Sequence, residues 1–211
     1  MPETKDKILD TAERLFGEQG FGATSLRHII AEAGVNLAAV HYHFGSKEEL
    51  LDAVVVRKLA PINAERLALL DKAAARNSGA PVGVEQFLEA FLWPALRRAA
   101  QDAAFTKLLG RLHAEGLMPR VVVNNFREVA ARFLGGIRQA LPSLPDDEVV
   151  WRIHFMIGAM AHTLKGPPDF PGVMVGPAID PKTQLRWMIA FLSAGFQAPA
   201  TQPAVHGEVK A

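Results

Sequence analysis

"AGVNLAAVHYHFGSKEELL", residues 33–51, is the stretch on which the reading of this chain turns. Gly34 follows an apolar helical segment and stands where a left-handed helix-terminating residue belongs. Asn36 can cap a new helix, and Gly45 ends it. Ser46, with Glu49 three residues on, has the register of a capping box for the helix after that. Within "LAAVHYHF", Val40 and Phe44 are four apart and turn inward together, which leaves Leu37, Ala38, Ala39, His41, Tyr42 and His43 for the outer faces. Two short helices joined by a tight glycine-containing connection make a helix-turn-helix, whose second helix is shaped for the major groove of DNA. The unpaired backbone N–H groups at the Asn36 end suit a phosphate.

Outward from this stretch the periodicity is helical throughout. Ile8, Ala12, Leu15 and Phe16 mark a first amphipathic helix that stops at "GEQGFG". Leu26, Ile29, Ile30 and Ala33 mark a second, which Thr24 or Ser25 can cap. A long helix follows "SKEE", and Pro61 is expected to kink or split it. "SGAPVG" (78–83) is a loop, and further helices are expected at roughly 84–101, 102–116, 120–141 and 146–165. "KGPPDFPGVMVGPAIDP" is too rich in proline and glycine for regular structure. Asp180 as cap and Pro181 at the first helical position open a last helix to about 196, with the apolar face Leu185, Met188, Ile189, Leu192 and Phe196. The expected fold is therefore all-α: a three-helix helix-turn-helix domain over 1–50, a larger helical domain over 51–196, and a disordered tail over 197–211.

Composition narrows the chemistry. The 211 residues contain no cysteine, which excludes a disulfide framework, a thiolate zinc site and a cysteine nucleophile. "MPETKDKILDTAERLF" lacks the apolar core of a secretory signal, and no run approaches the ~18 apolar residues of a membrane span. A cytoplasmic setting without membrane contact is expected. His41 and His43, two apart on a helix, diverge and have no HExxH partner, so neither metal nor cofactor is expected. "GEQGFG" lacks the preceding strand and the spacing of a phosphate-binding loop, and there is no GxSxG elbow. An enzyme is not expected. The alternative is an all-α small-molecule-binding protein or enzyme whose N-terminal helices are purely structural. Overall charge is +1, while residues 1–60 hold seven Lys and Arg against nine Asp and Glu. A DNA-reading unit with that balance must place its few cations carefully, and its binding should depend only modestly on salt.

"TSLRHIIAEAGVNLAAVHYHFGSKEELL" resembles the DNA-binding domain of the TetR/AcrR family of transcriptional regulators, through its Thr-Ser start, "AGV" turn, "YHF" ending and "SKEELL". The wording around "FGSKEEL" is similar to a branch that includes lipid- and fatty-acid-responsive members. The resemblance implies a homodimeric, ligand-responsive regulator, most often a repressor, on a palindromic double-stranded operator. It also implies roles for particular residues. Thr24, Ser25 and Lys47 would contact phosphate, and Arg27 phosphate or a base edge. Asn36, Leu37, Ala38 and Ala39 would face the bases. Tyr42 and His43 would hold the backbone of the DNA, with His41 beside them departing from the common pattern.

The second half is rich in large apolar side chains, mostly core material, and helical domains make ligand cavities between their helices. Phe87, Phe91, Phe105, Leu109, Leu112, His113, Phe126, Phe155 and Met156 are the candidate lining of an effector pocket, with Arg111, His154 and His162 as further polar members. In a family-like dimer the last two long helices would pair with their mates. Trp151, Phe155, Gly158, Ala159 and His162 would do so from one helix, and Leu185, Met188 and Leu192 from the other.

Overall fold

The structure, a computed structural model, describes residues 2–118, 121, 126–164, 166, 169–170 and 174–201. Its helices are α1 (Pro2–Gln19), α2 (Leu26–Ala33), α3 (Leu37–Phe44), α4 (Lys47–Arg76), α5 (Val84–Gln101), α6 (Ala103–Ala114), α7 (Arg127–Ala140), α8 (Asp146–Thr163) and α9 (Pro181–Gln197). The all-α expectation holds apart from one two-residue antiparallel ladder, Asp169–Phe170 with Met174–Val175, inside the segment expected to be irregular. Of the helix expected over 120–141, the part at 120 and 122–125 lies outside the described residues.

The caps act where the sequence puts them. Ser25 Oγ accepts the His28 N–H, Asn36 Oδ1 accepts the Ala39 N–H, and Ser46 with Glu49 closes a full capping box. Gly34 takes φ +63°, a left-handed value that an L side chain adopts only under strain, and this lets α2 turn into α3. Asp180 Oδ1 accepts two N–H groups at the start of α9.

Pro61 neither ends nor divides α4, which runs unbroken for 30 residues. Leu59 and Ile62 beside it, and Arg66 and Leu70 a turn or two on, are all buried. Burial of that stripe outweighs the hydrogen bond that proline removes.

Two apolar cores lie along α4. The first gathers Ile8, Leu15 and Phe16 of α1, Ile29 of α2, Val40 and Phe44 of α3, and Leu50 to Ile62 of α4, and is closed by Phe105, Leu108 and Leu112 of α6. The boundary expected at residue 50 thus falls inside both a helix and a core. The second core joins α5, α7, α8 and α9, with Leu70 from the far end of α4.

Buried ion pairs bind the first core to α6. Glu13, almost fully buried, receives Lys58 at 2.6 Å and Arg57 at 2.9 Å, and Lys58 also reaches Asp102 at 2.9 Å. Asp102 caps α6 through the Phe105 N–H at 3.0 Å. Desolvation pushes its carboxyl up, but the Phe105 N–H, Lys58 and Arg98 together hold it below the usual range. At the other end of α6, Glu115 accepts the Gly22 N–H at 2.9 Å and Arg111 donates to the Glu18 carbonyl at 3.0 Å.

The start of the expected tail is fixed. Arg152, buried in α8, donates to the carbonyls of Gly195, Phe196, Ala198 and Pro199, and Glu148 accepts from Thr201. Residues 202–211 lie outside the described residues.

Candidate functional site

The helix-turn-helix presents one face that its own core does not use. Val40 and Phe44 are buried, while Leu37 and Tyr42 are exposed, Tyr42 to 85%. Asn36, Ala38 and His41 are exposed beside them, with Ala39 and His43 half-buried. A phenol ring so exposed leaves much apolar area in water unless a partner covers it. His43 holds that ring edge-on at 5.1 Å between centroids. The His41 ring is tied back to the end of its own helix: Nδ1 donates to the Gly45 carbonyl at 2.9 Å, so that nitrogen is not available to a ligand.

Residues 1–60 carry seven cations. Lys7, Arg14, Arg57 and Lys58 are taken up in ion pairs with Glu3, Glu18, Glu32, Asp10, Glu13 and Asp102. Arg27, exposed on α2, and Lys47, at the first turn of α4, have no ion pair among the described residues. Lys47 lies over the Phe21 ring at 4.2 Å. Five of the nine acids of the first 60 residues are thus held in internal pairs with four of the seven cations, and of the remaining Lys5, Arg27 and Lys47 the last two lie on the helices that flank α3.

One expectation fails here. Thr24, read as a phosphate contact, is 1% exposed, and its hydroxyl donates inward to the Gly20 carbonyl at 2.7 Å and lies 3.3 Å from that of Leu15. The turn after α1 leaves carbonyls that need a donor, and Thr24 supplies it. Ser25 is exposed, its oxygen engaged as the cap of α2.

The second half encloses an apolar cavity of about 260 Å³ between α5, α7 and α8. Phe87, Phe91, Phe126 and Met156 line it as expected, joined by Leu88, Met118, Phe133, Ile137, Ile153, Met160 and Phe196, and every lining side chain among the described residues is apolar. Phe105, Leu109 and Leu112 do not reach it, because α6 turns its apolar stripe onto α1 and the first core. His113 is exposed, Arg111 is spent on the α1 carbonyl, and His154 and His162 point to solvent. Phe155, next to the buried Met156 on α8, is exposed and does not line the cavity.

Behind the cavity wall, against Phe91, Phe126 and Met160, lies a charged group not among the candidates expected from the sequence. Arg66 is buried to 1% exposure, its guanidinium 4.0 Å above the Phe91 ring and 5.5 Å from that of Phe126. A signal was present: Leu59, Ile62, Asn63, Arg66 and Leu70 fall on one helical stripe, so Arg66 sits where an apolar residue belongs.

The cavity wall is closely fitted at Gly136. A Cβ there would come within 1.9 Å of Phe87 Cζ, and Phe87 is itself held edge-on against Phe133 at 5.9 Å. Gly136→Ala is expected to destabilise the protein by about 1–3 kcal/mol through overpacking, less up to about 1 kcal/mol gained in helix propensity. Thermal melts compared with a Gly135→Ala control, whose Cβ meets nothing within 4 Å, measure it. Equal melting temperatures would refute the fit.

A third feature is an uncovered apolar face on α8 and α9. Trp151, Phe155, Gly158 and His162 follow at i, i+4, i+7 and i+11 and are all exposed. Ala159 is half-buried. On α9 the expected Leu185 and Leu192 belong to the second core, and Met188 is half-buried against it. Trp187 and Phe191, the latter 75% exposed, form the outer face instead. The helix is apolar on two sides, and packing against α5 takes the leucine side.

A helix-turn-helix with a bared second helix, mounted on a larger helical domain, has the build of a DNA-binding transcriptional regulator. Residues 8–54 match the family described as bacterial regulatory proteins, tetR family, and residues 89–195 match the tetracyclin repressor-like C-terminal domain. The transcriptional regulator BetI of Rhizobium meliloti (strain 1021) is 31% identical over 68% of this chain and 81% of that protein. The regulator YerO of Bacillus subtilis (strain 168) is 45% identical over 51 residues, 24% of this chain and 18% of YerO. A TetR-family transcription regulator from Marinobacter aquaeolei VT8 shares the fold, with a TM-score of 0.63 at 17% identity over 91% of this chain and 94% of that one. The chain belongs to the TetR family. It is a helix-turn-helix transcriptional regulator, from families that regulate rather than catalyse, and no described helix is long and apolar enough to cross a membrane.

Proposed function

We propose that this protein is a homodimeric, ligand-responsive repressor that binds a palindromic operator in the cytoplasm and is modulated by a small apolar effector. The observation that carries this reading is the α3 face, on which Leu37 and Tyr42 are exposed while Val40 and Phe44 anchor the helix from behind. Asn36, Leu37, Ala38 and Ala39 are its base-facing start. Leucine and alanine offer only apolar contact, suited to thymine methyl groups, so Arg27, Asn36 and DNA shape supply much of the specificity. Ser25, Arg27, Tyr42, His43 and Lys47 hold the sugar-phosphate backbone, with His41 at the margin. The reading unit is residues 1–50, and residues 51–196 sense and dimerise.

Pairing of α8 and α9 with their mates covers Trp151, Phe155, Trp187 and Phe191 in a two-fold interface. Two-fold pairing sets the two α3 helices about one DNA turn apart, roughly 34–36 Å. The cavity between α5, α7 and α8 takes the effector, which acts through its differential affinity for DNA-competent and DNA-incompetent arrangements.

Selection of bound sequences from a random duplex pool, at fixed salt, tests the reading. Enrichment of one palindrome with half-sites a turn apart is the expected result. A folded dimer that enriches nothing would overturn it.

A further inference from the structure

Among the described residues the cavity lining is apolar, yet a cation without a counter-charge lies behind it. Arg66 has five N–H donors. Nε donates to the Phe91 carbonyl at 2.9 Å, Nη1 to Asn63 Oδ1 at 3.1 Å, and among the described residues Nη2 meets only the Met160 thioether at 3.8 Å. Among the described residues no carboxylate pairs with it. Burial alone pulls the guanidinium down to about 9, so it remains charged at neutral pH. A buried charge is ordinarily paired, because an unpaired one costs several kcal/mol of lost hydration. Phe91, Phe126 and Met160 touch this cation on one side and line the cavity on the other.

We propose that the effector is an apolar monocarboxylate, its hydrocarbon part in the cavity and its carboxylate on the Arg66 guanidinium. This rests on the reading of the cavity as the effector site and names the chemistry of that effector. An apolar cavity of about 150 Å³ holds benzene, so the 260 Å³ here has room for a medium-length alkyl chain or a substituted aryl group. A single positive charge is balanced by a single negative one. A phosphate dianion would leave net negative charge among phenylalanines. The carboxylate matches the planar fork of the guanidinium, and the flexible Met160 side chain is the group it displaces from Nη2.

Calorimetric titration of the purified protein with hexanoate, octanoate, decanoate and dodecanoate, each beside the alcohol of equal length, tests this. At the best-fitting length the acid is expected to bind about 10- to 100-fold tighter than the alcohol, the strength of a charge-assisted hydrogen-bonded pair. Arg66→Met should erase that preference while leaving alcohol affinity within a few-fold. Its ligand-free form should melt no lower than the wild type, since an unpaired buried charge has been removed. Arg66→Lys keeps the charge without the fork and should retain part of the preference, which covers the case of a Met variant that does not fold. Equal affinity for acid and alcohol in the wild type, or an undiminished acid preference in Arg66→Met, overturns the anchor and leaves the cavity as a ligand site. If no member of either series binds, the anchor falls together with the apolar-effector reading. Operator binding by the same preparation then shows whether the DNA-reading assignment survives.

Discussion

Replacing Phe191 by aspartate is expected to turn the proposed dimer into folded monomers and to lower operator affinity by at least about a hundredfold. The ring is 75% exposed in the single chain and contributes nothing to either core, so the protomer loses little by the change. In the proposed interface each ring is covered by the partner. Burial of one such side chain is worth about 1.5–3 kcal/mol, and two-fold symmetry removes it twice. The aspartate adds a carboxylate that must be desolvated without a partner, again twice. A monomer holds only one half-site, and the second half-site no longer adds to the affinity. Sedimentation analysis and operator titration, with a thermal melt as the folding control, read these effects separately. Leu192→Asp, one residue along but inside the second core, should instead unfold the chain. A Phe191→Asp protein that still sediments as a dimer would remove α9 from the interface.

Tyr42→Ala carries the second large effect, and it too divides stability from function. The phenol is 85% exposed, so the fold should not register its loss. Operator affinity should fall by about 1–2 kcal/mol per subunit, roughly 30- to 1,000-fold for a dimer that loses the contact on both half-sites. Arg27→Ala should weaken binding as well and reduce the slope of affinity against salt by about one per subunit if its partner is a phosphate. Thr24→Ala supplies the opposite pattern. Its hydroxyl serves the Gly20 carbonyl, so the change should lower the melting temperature while a folded protein still binds DNA. Fluorescence anisotropy at two salt concentrations separates these variants. Unchanged affinity in both Tyr42→Ala and Arg27→Ala would sink the assignment of α3 as the reading helix.

The sequence by itself determined most of what depends on neighbours along the chain, the unbroken run of α4 through Pro61 excepted. Helical periodicity, the caps Asn36, Ser46 and Asp180, and the turn at Gly34 are local features, and so the helix-turn-helix and most helix limits could be read directly, with the cap of α2 narrowed to Thr24 or Ser25. The inward turn of Val40 and Phe44 was legible for the same reason: residues four apart on a helix share a face whatever surrounds them.

Only the tertiary structure decided what each face meets. Spacing shows that Leu185 and Leu192 share one side of α9 and that Trp187 and Phe191 share another. It does not show which side packs on α5 and which is left uncovered. The same gap moved Phe105, Leu109 and Leu112 from the cavity to the first core, since the apolar stripe of α6 is turned onto α1. Thr24 could serve a phosphate or a carbonyl with the same hydroxyl, and the turn after α1 chose the carbonyl. Arg66 is the sharpest case. A lone arginine on an apolar stripe reads as a snorkelling surface side chain until α5 closes over it, and only then does its charge stand walled in by Phe91 and Phe126.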